Sequence, residues 1–111
     1  MPAVVVDGMV AYLGVPKRTI FKVLHAAEST THRLIKENGT LDPAVTERVV
    51  RVADITRLAI ATFGSREDAT RWLRTENRGL GGVPPLSLLD SEAGGAEVRR
   101  VLSAITYGGS F

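Results

Sequence analysis

Asp42-Pro43-Ala44-Val45-Thr46-Glu47-Arg48-Val49-Val50-Arg51-Val52-Ala53-Asp54-Ile55-Thr56-Arg57-Leu58-Ala59-Ile60-Ala61-Thr62-Phe63-Gly64 is the stretch on which the fold turns. Asp42 is a good N-cap, because its carboxylate can accept from the free N–H groups of a first helical turn. Pro43 suits the first helical position, and Gly64 supplies the stop after Phe63. Between these signals lie about six turns of helix. Val45, Val49, Val52, Ala59, Ile60 and Phe63 share one face, and Glu47, Arg51 and Asp54 occupy the opposite one. Val50, Ile55 and Leu58 fall outside that stripe. A helix of this kind is expected to be covered on two sides, by its own domain and by a second subunit.

Toward the C-terminus, Ser65 begins a capping box with Asp68, the hydroxyl and the carboxylate each reaching the other's backbone N–H. The helix that follows carries Ala69, Trp72 and Leu73 inward and ends near Thr75. Glu76 to Pro85 is a loop by composition, and Leu86 to Leu89 makes one apolar turn. Ser91 caps a last helix, in which Val98, Val101, Leu102 and Ile105 follow the i, i+3, i+4, i+7 spacing while Arg99 and Arg100 face away. After Tyr107 the tail Gly108-Gly109-Ser110-Phe111 cannot sustain a helix.

Toward the N-terminus, Asn38-Gly39 closes a helix that starts at Glu28 or Ser29 and runs to Glu37. The turn His25-Ala26-Ala27 precedes it. Before that come a helix from Lys17 to about Leu24, opened by Val15-Pro16, and a shorter one from Gly8 to Leu13 stopped by Gly14. A scrap at Val4 to Val6 is the one candidate for extended chain. Three short helices with tight turns predict a helix-turn-helix unit, so the fold class is all-α: an N-terminal helix-turn-helix followed by a second helical domain, divided as residues 1–40 and 41–111.

A chain of 111 residues with 44% apolar and 23% charged residues can fold as one domain, or as two small lobes sharing one core. The absence of cysteine excludes disulfides, thiolate zinc sites and a cysteine nucleophile together. Met1 to Val6 has no basic lead, Asp7 cuts its apolar run, and no stretch approaches the ~20 apolar residues of a membrane helix. A cytoplasmic protein without a membrane partner is the expectation. The net charge of +2 is unevenly spread. Every lysine, and all of the formal surplus, lies before residue 42, so a nucleic-acid contact belongs there.

Catalysis finds little support in the residues. His25 and His32 sit in or beside short basic helices without metal-ligand spacing, and Glu67-Asp68 occupy a first helical turn, where acids suit the helix dipole. No catalytic residue, metal or cofactor is therefore assigned. Arg78-Gly79-Leu80-Gly81-Gly82 lacks the Lys-Ser or Lys-Thr and the preceding strand of a phosphate loop, and reads as a tight turn. Leu24 to Lys36 has the layout of an interhelical turn and a recognition helix, with Thr30, Thr31, His32, Arg33 and Lys36 as the DNA-binding candidates. A rival register makes Lys17 to Leu24 the reader, and a third reading leaves all these helices to pack or dimerise. Tyr107 and Phe111, spaced by Gly108-Gly109-Ser110, put two aromatic anchors on a flexible arm.

Residues 41 to 111 resemble the toxin-binding domain of Xre/MbcA/ParS-type antitoxins. The resemblance is carried by Leu41, Glu47-Arg48, Arg51, Phe63-Gly64, Ala69, Trp72-Leu73, Asn77, Leu80-Gly81-Gly82, Pro84 or Pro85, Leu86, Leu89, Glu92-Ala93-Gly94, Val98, Leu102 and Tyr107-Gly108. The N-terminal part is similar to the Xre-type helix-turn-helix that such proteins carry, departing from it at His25, where glycine is usual, and at Thr31, where an apolar residue is usual. The resemblance implies an antitoxin of a type II toxin-antitoxin module whose partner is a RES-domain toxin. That toxin consumes NAD, by degrading it or by transferring ADP-ribose to a protein, so NAD is the toxin's substrate and not a cofactor of this chain. It further implies toxin contacts at Trp72, Leu80, Gly81, Gly82, Pro84, Tyr107, Gly108, Gly109, Ser110 and Phe111, with the C-terminal segment entering or covering the toxin's active site. Operator DNA and a homodimer within a larger toxin-antitoxin assembly are the other expected partners. The alternative is a helix-turn-helix transcriptional regulator whose C-terminal half only dimerises.

Overall fold

Helix begins earlier than the valine run suggests. In the structure, a computed structural model that describes residues 1–108, α1 spans Val5–Leu13, so Val4 to Val6 lead into a helix and not a strand. The reason is tertiary: Val6 and Leu13 are buried, and the chain before them is tied to Gly39, Thr40 and Leu41. Ala3 N–H donates to Gly39 O at 3.0 Å and Leu41 N–H to Met1 O at 2.9 Å, leaving an isolated bridge between Pro2 and Thr40. That bridge and one between Asn77 and Val83 are the extended pairings among the described residues.

Then come α2 (Lys17–Leu24), α3 (Glu28–Lys36), α4 (Pro43–Phe63), α5 (Arg66–Arg74), two 3-10 turns at Arg78–Leu80 and Pro85–Leu88, and α6 (Glu92–Thr106). Asp42, Ser65 and Ser91 cap the helices they precede. At Ser65 the bond is one-way: its Oγ accepts from Asp68 N–H at 3.2 Å, while the Asp68 carboxylate turns to Arg71.

The long helix α4 is the spine. It meets α2 on one side and α5 and α6 on others, so its buried arc is wider than one stripe and takes in Ile55 and Thr56 beside Val45, Val49, Val52 and Ala59. Ile60 and Phe63, expected on the inward face, are only partly buried. The side assigned to Glu47, Arg51 and Asp54 is not a free polar face either. Arg51 is 12% exposed, because its guanidinium donates to Leu89 O at 3.1 Å and to Glu47 at 2.9 Å while Gly95 of α6 lies against its stem. Helices α4 and α6 run parallel, with Gly95 beside Ile55 at one end and the Thr62 and Thr106 hydroxyls 3.0 Å apart at the other.

Leu13, Ile20 and Leu24 from the first two helices join Ile55, Leu73, Leu86, Leu89 and Leu102 in one core. Each such side chain contributes roughly 1.5–3 kcal/mol by leaving water, which suffices for a chain of this size.

Candidate functional site

Two surfaces carry the residues singled out from the sequence, and they lie on different parts of the fold. The first is built by the segment between α5 and α6. Asn77 closes it into a compact loop: its side chain accepts from Gly79 N–H at 2.8 Å, its N–H donates to Val83 O at 3.1 Å, and its carbonyl accepts from Gly82 N–H at 2.9 Å. Gly81 and Gly82 have φ of 78° and 79°, a left-handed backbone that glycine takes at little cost, and both are exposed at the tip. Leu80 is buried and anchors that tip against α6, so it supports the surface from below. Pro84 is half-buried, in a groove of about 300 Å³ with Pro16, Thr19 and Arg74.

Trp72 lies half-buried on α5 with its ring 5.5 Å from that of Phe63, and its indole Nε1 is buried without a hydrogen-bond partner. Phe63 follows Thr62, which touches Thr106, so Trp72 and Tyr107 stand at the same end of the α4–α6 pair. Tyr107 is 89% exposed, just after a helix whose Val98, Val101 and Leu102 are fully buried. Gly108 follows with φ 94°. The expected contacts at Gly109, Ser110 and Phe111 lie outside the described residues.

The second surface is the helix-turn-helix. His25 occupies the turn with φ 53°, the left-handed conformation for which glycine is usual, and its Nε2 lies 3.3 Å from Asp90 Oδ2. On α3, Thr30, His32, Arg33 and Lys36 are exposed. Thr31 does not join them. It is 3% exposed and its hydroxyl donates to Ala27 O at 3.0 Å, so it fills the place of an inward apolar residue and satisfies its own polar atom. Of the two α3 cations, Arg33 is paired, 3.4 Å from Glu37, and His32 lies 3.5 Å from Glu28. On α2, Lys17, Arg18 and Lys22 are exposed with no acidic residue in the helix.

The two surfaces are fastened together by residues whose role the sequence pattern did not reveal. Arg48 donates to Asp90 O at 3.2 Å and to Leu24 O at 3.4 Å, bridging the end of α2 to the start of α6, while Arg51 holds Leu89 O beside it. Their i, i+3 spacing on α4 was the visible signal. Among the described residues no group of three histidine, aspartate or glutamate side chains is placed to hold a metal ion, and no helix is long and apolar enough to cross a membrane.

Comparison with known proteins finds two family models, which meet within α4. The antitoxin Xre-like helix-turn-helix domain matches residues 1–54, and the antitoxin Xre/MbcA/ParS C-terminal toxin-binding domain matches residues 58–108. An antitoxin Xre from Yersinia enterocolitica is 28% identical, over 94% of this chain and 71% of the relative. An antitoxin Xre from Photorhabdus laumondii is 26% identical, over 97% of this chain and 74% of the relative. A Prs ADP-ribosylating antitoxin from a Sphingobium species is 32% identical, over 89% of this chain and 68% of the relative.

Proposed function

The chain belongs to the Xre/MbcA/ParS antitoxin family, and from that premise we propose that it silences a RES-domain, NAD-consuming toxin by laying its C-terminal segment into or over the toxin's active site. An antitoxin is a regulatory protein and not an enzyme; its work is to bind. The observation that carries the reading is Tyr107, a large aromatic side chain left 89% exposed at the end of a helix whose Val98, Val101 and Leu102 are buried. An exposed aromatic group costs solvation that a receiving pocket recovers, which is why such residues dominate binding energies. Gly108 follows it without a side chain to obstruct close approach. The name of the Sphingobium relative, with its mention of ADP-ribosylation, agrees with a toxin that draws on NAD.

Trp72, Gly81, Gly82 and Pro84 are assigned to the rim of that contact, Leu80 to its support, and Gly109, Ser110 and Phe111 to its tip. Residues 1–40 are assigned to DNA and 41–111 to the toxin, with the chain repressing its own operon through Thr30, His32, Arg33 and Lys36. A homodimer fits the groove of about 470 Å³ between α1 and α4, whose walls include Val5, Met9, Tyr12, Val52 and Ile60.

Deleting Tyr107 to Phe111 tests the mechanism. Cells co-expressing the RES-domain toxin with the shortened chain should stop growing and lose NAD, while the purified chain keeps its helical content and its melting temperature. Full protection by the shortened chain would sink the plug.

A further inference from the structure

We propose that duplex DNA is held through its phosphate backbone by a basic strip that runs from the first turn of α2 across the α1–α2 turn onto α5, and not by α3 alone. This rests on the operator-binding reading above and assigns the contact to residues that neither domain alone would supply. A groove of about 420 Å³ is lined by Tyr12, Gly14, Arg66, Glu67, Arg71 and Arg74, among others, so three arginines of α5 open beside the turn that leads into α2. Arg74 also lines the adjoining groove with Pro16 and Thr19, and Lys17 and Arg18 are exposed on that same first turn.

Two of the arginines are held in place by backbone, not by carboxylates. Arg66 donates to Tyr12 O at 3.0 Å with its guanidinium 4.2 Å over the Tyr12 ring, and Arg74 donates to Gly14 O at 3.3 Å. A guanidinium has five N–H donors, so each keeps most of them for a ligand while its position is already fixed. Arg71 is paired with Asp68, and Glu67 is the other acid of the region. Five cations thus stand with two carboxylates along the strip, whereas α3 offers two, Arg33, which is paired with Glu37, and Lys36. Phosphate neutralisation scales with uncompensated charge, so the strip is the stronger polyanion surface. The anchoring carbonyls belong to the helix-turn-helix, which favours DNA over an acidic face of the toxin as the occupant.

The test measures binding of the full chain to a fluorescein-labelled duplex of about 24 base pairs of arbitrary sequence, by anisotropy across a salt series. Arg66→Gln with Arg71→Gln, neither of which lines the groove of Pro84, should weaken binding about tenfold at low salt and lower the slope of log K against log salt by about 2. Toxin neutralisation in cells should be unchanged. Lys17→Gln with Arg18→Gln, which alters only exposed side chains, should act in the same direction and decides the matter if the arginine pair melts early. Unchanged binding in both variants, with loss on Arg33→Ala and Lys36→Ala, would overturn the strip and leave operator binding standing. No duplex binding by the unaltered chain overturns both. Loss of neutralisation with DNA binding intact assigns the arginines to the toxin and overturns the proposal.

Discussion

The two halves of this antitoxin begin their helices differently. Each helix of the C-terminal half starts behind a side chain that accepts from its first turn: Asp42 from Ala44 N–H at 3.1 Å, Ser65 from Asp68 N–H at 3.2 Å, Ser91 from Gly94 N–H at 3.0 Å. The helices of the N-terminal half start behind Val4, Pro16 and Ala27, none of which provides such a bond. What fixes them instead is their ends, at Gly14 and His25 in left-handed conformation, and their burial against α4. Local chemistry therefore bounds one half and tertiary contact bounds the other. The helix-turn-helix depends on its neighbour for its shape.

The largest effect that would strain this comparison is expected at Gly94. A Cβ there meets the Leu88 carbonyl oxygen, so the second 3-10 turn and the first turn of α6 touch backbone to backbone. Gly94→Ala, which would stabilise an unencumbered helix, should here cost about 3 kcal/mol in urea unfolding. A gain in stability would show that the C-terminal half is loose where it is drawn tight. Removing the caps comes next: Ser65→Ala and Ser91→Ala should each lower stability by about 1 kcal/mol, read from the same melts. Installing a cap should give the smallest effect. Ala27 already has the extended backbone of an N-cap, with φ −77° and ψ 132°, so Ala27→Ser should raise stability by about 0.5 kcal/mol. No gain would mean that α3 is bounded locally after all, and the contrast between the halves would fail.

The same contrast explains how much the sequence disclosed. Asp42, Pro43, Gly64, Ser65 and Ser91 announce α4, α5 and α6 nearly to the residue, because a cap is a short-range device with its own residue types. The start of α1 at Val5 was hidden, since three consecutive β-branched residues carry no helical signal and what holds the chain there is its pairing with Gly39 and Leu41, far along the sequence. Thr31 looked like a surface residue of a recognition helix and is core, because a threonine can turn its methyl inward and give its hydroxyl to its own helix. Arg51 was read as part of the face opposite the apolar stripe, and Arg48 was given no place on either. Periodicity assigns charge to water, and it does not register that a long stem can deliver a guanidinium to carbonyls at the edge of the core. The loop around Gly81 and Gly82 was legible as a turn, but the burial of Leu80 between its glycines was not.

The bridge made by Arg48 has a consequence for inheritance. One side chain on α4 joins Leu24 O, at the end of a helix that faces DNA in our reading, to Asp90 O, at the head of the helix that carries Tyr107. A recombinant that took residues 1–40 from one relative and the remainder from another would have to restore both carbonyls to the reach of the same guanidinium. It would also have to rebuild the wall of α4 on which Ile20 and Leu24 lie. Modules joined in this way drift as a pair, and a change in the helix-turn-helix calls for compensating substitutions on the far side of α4.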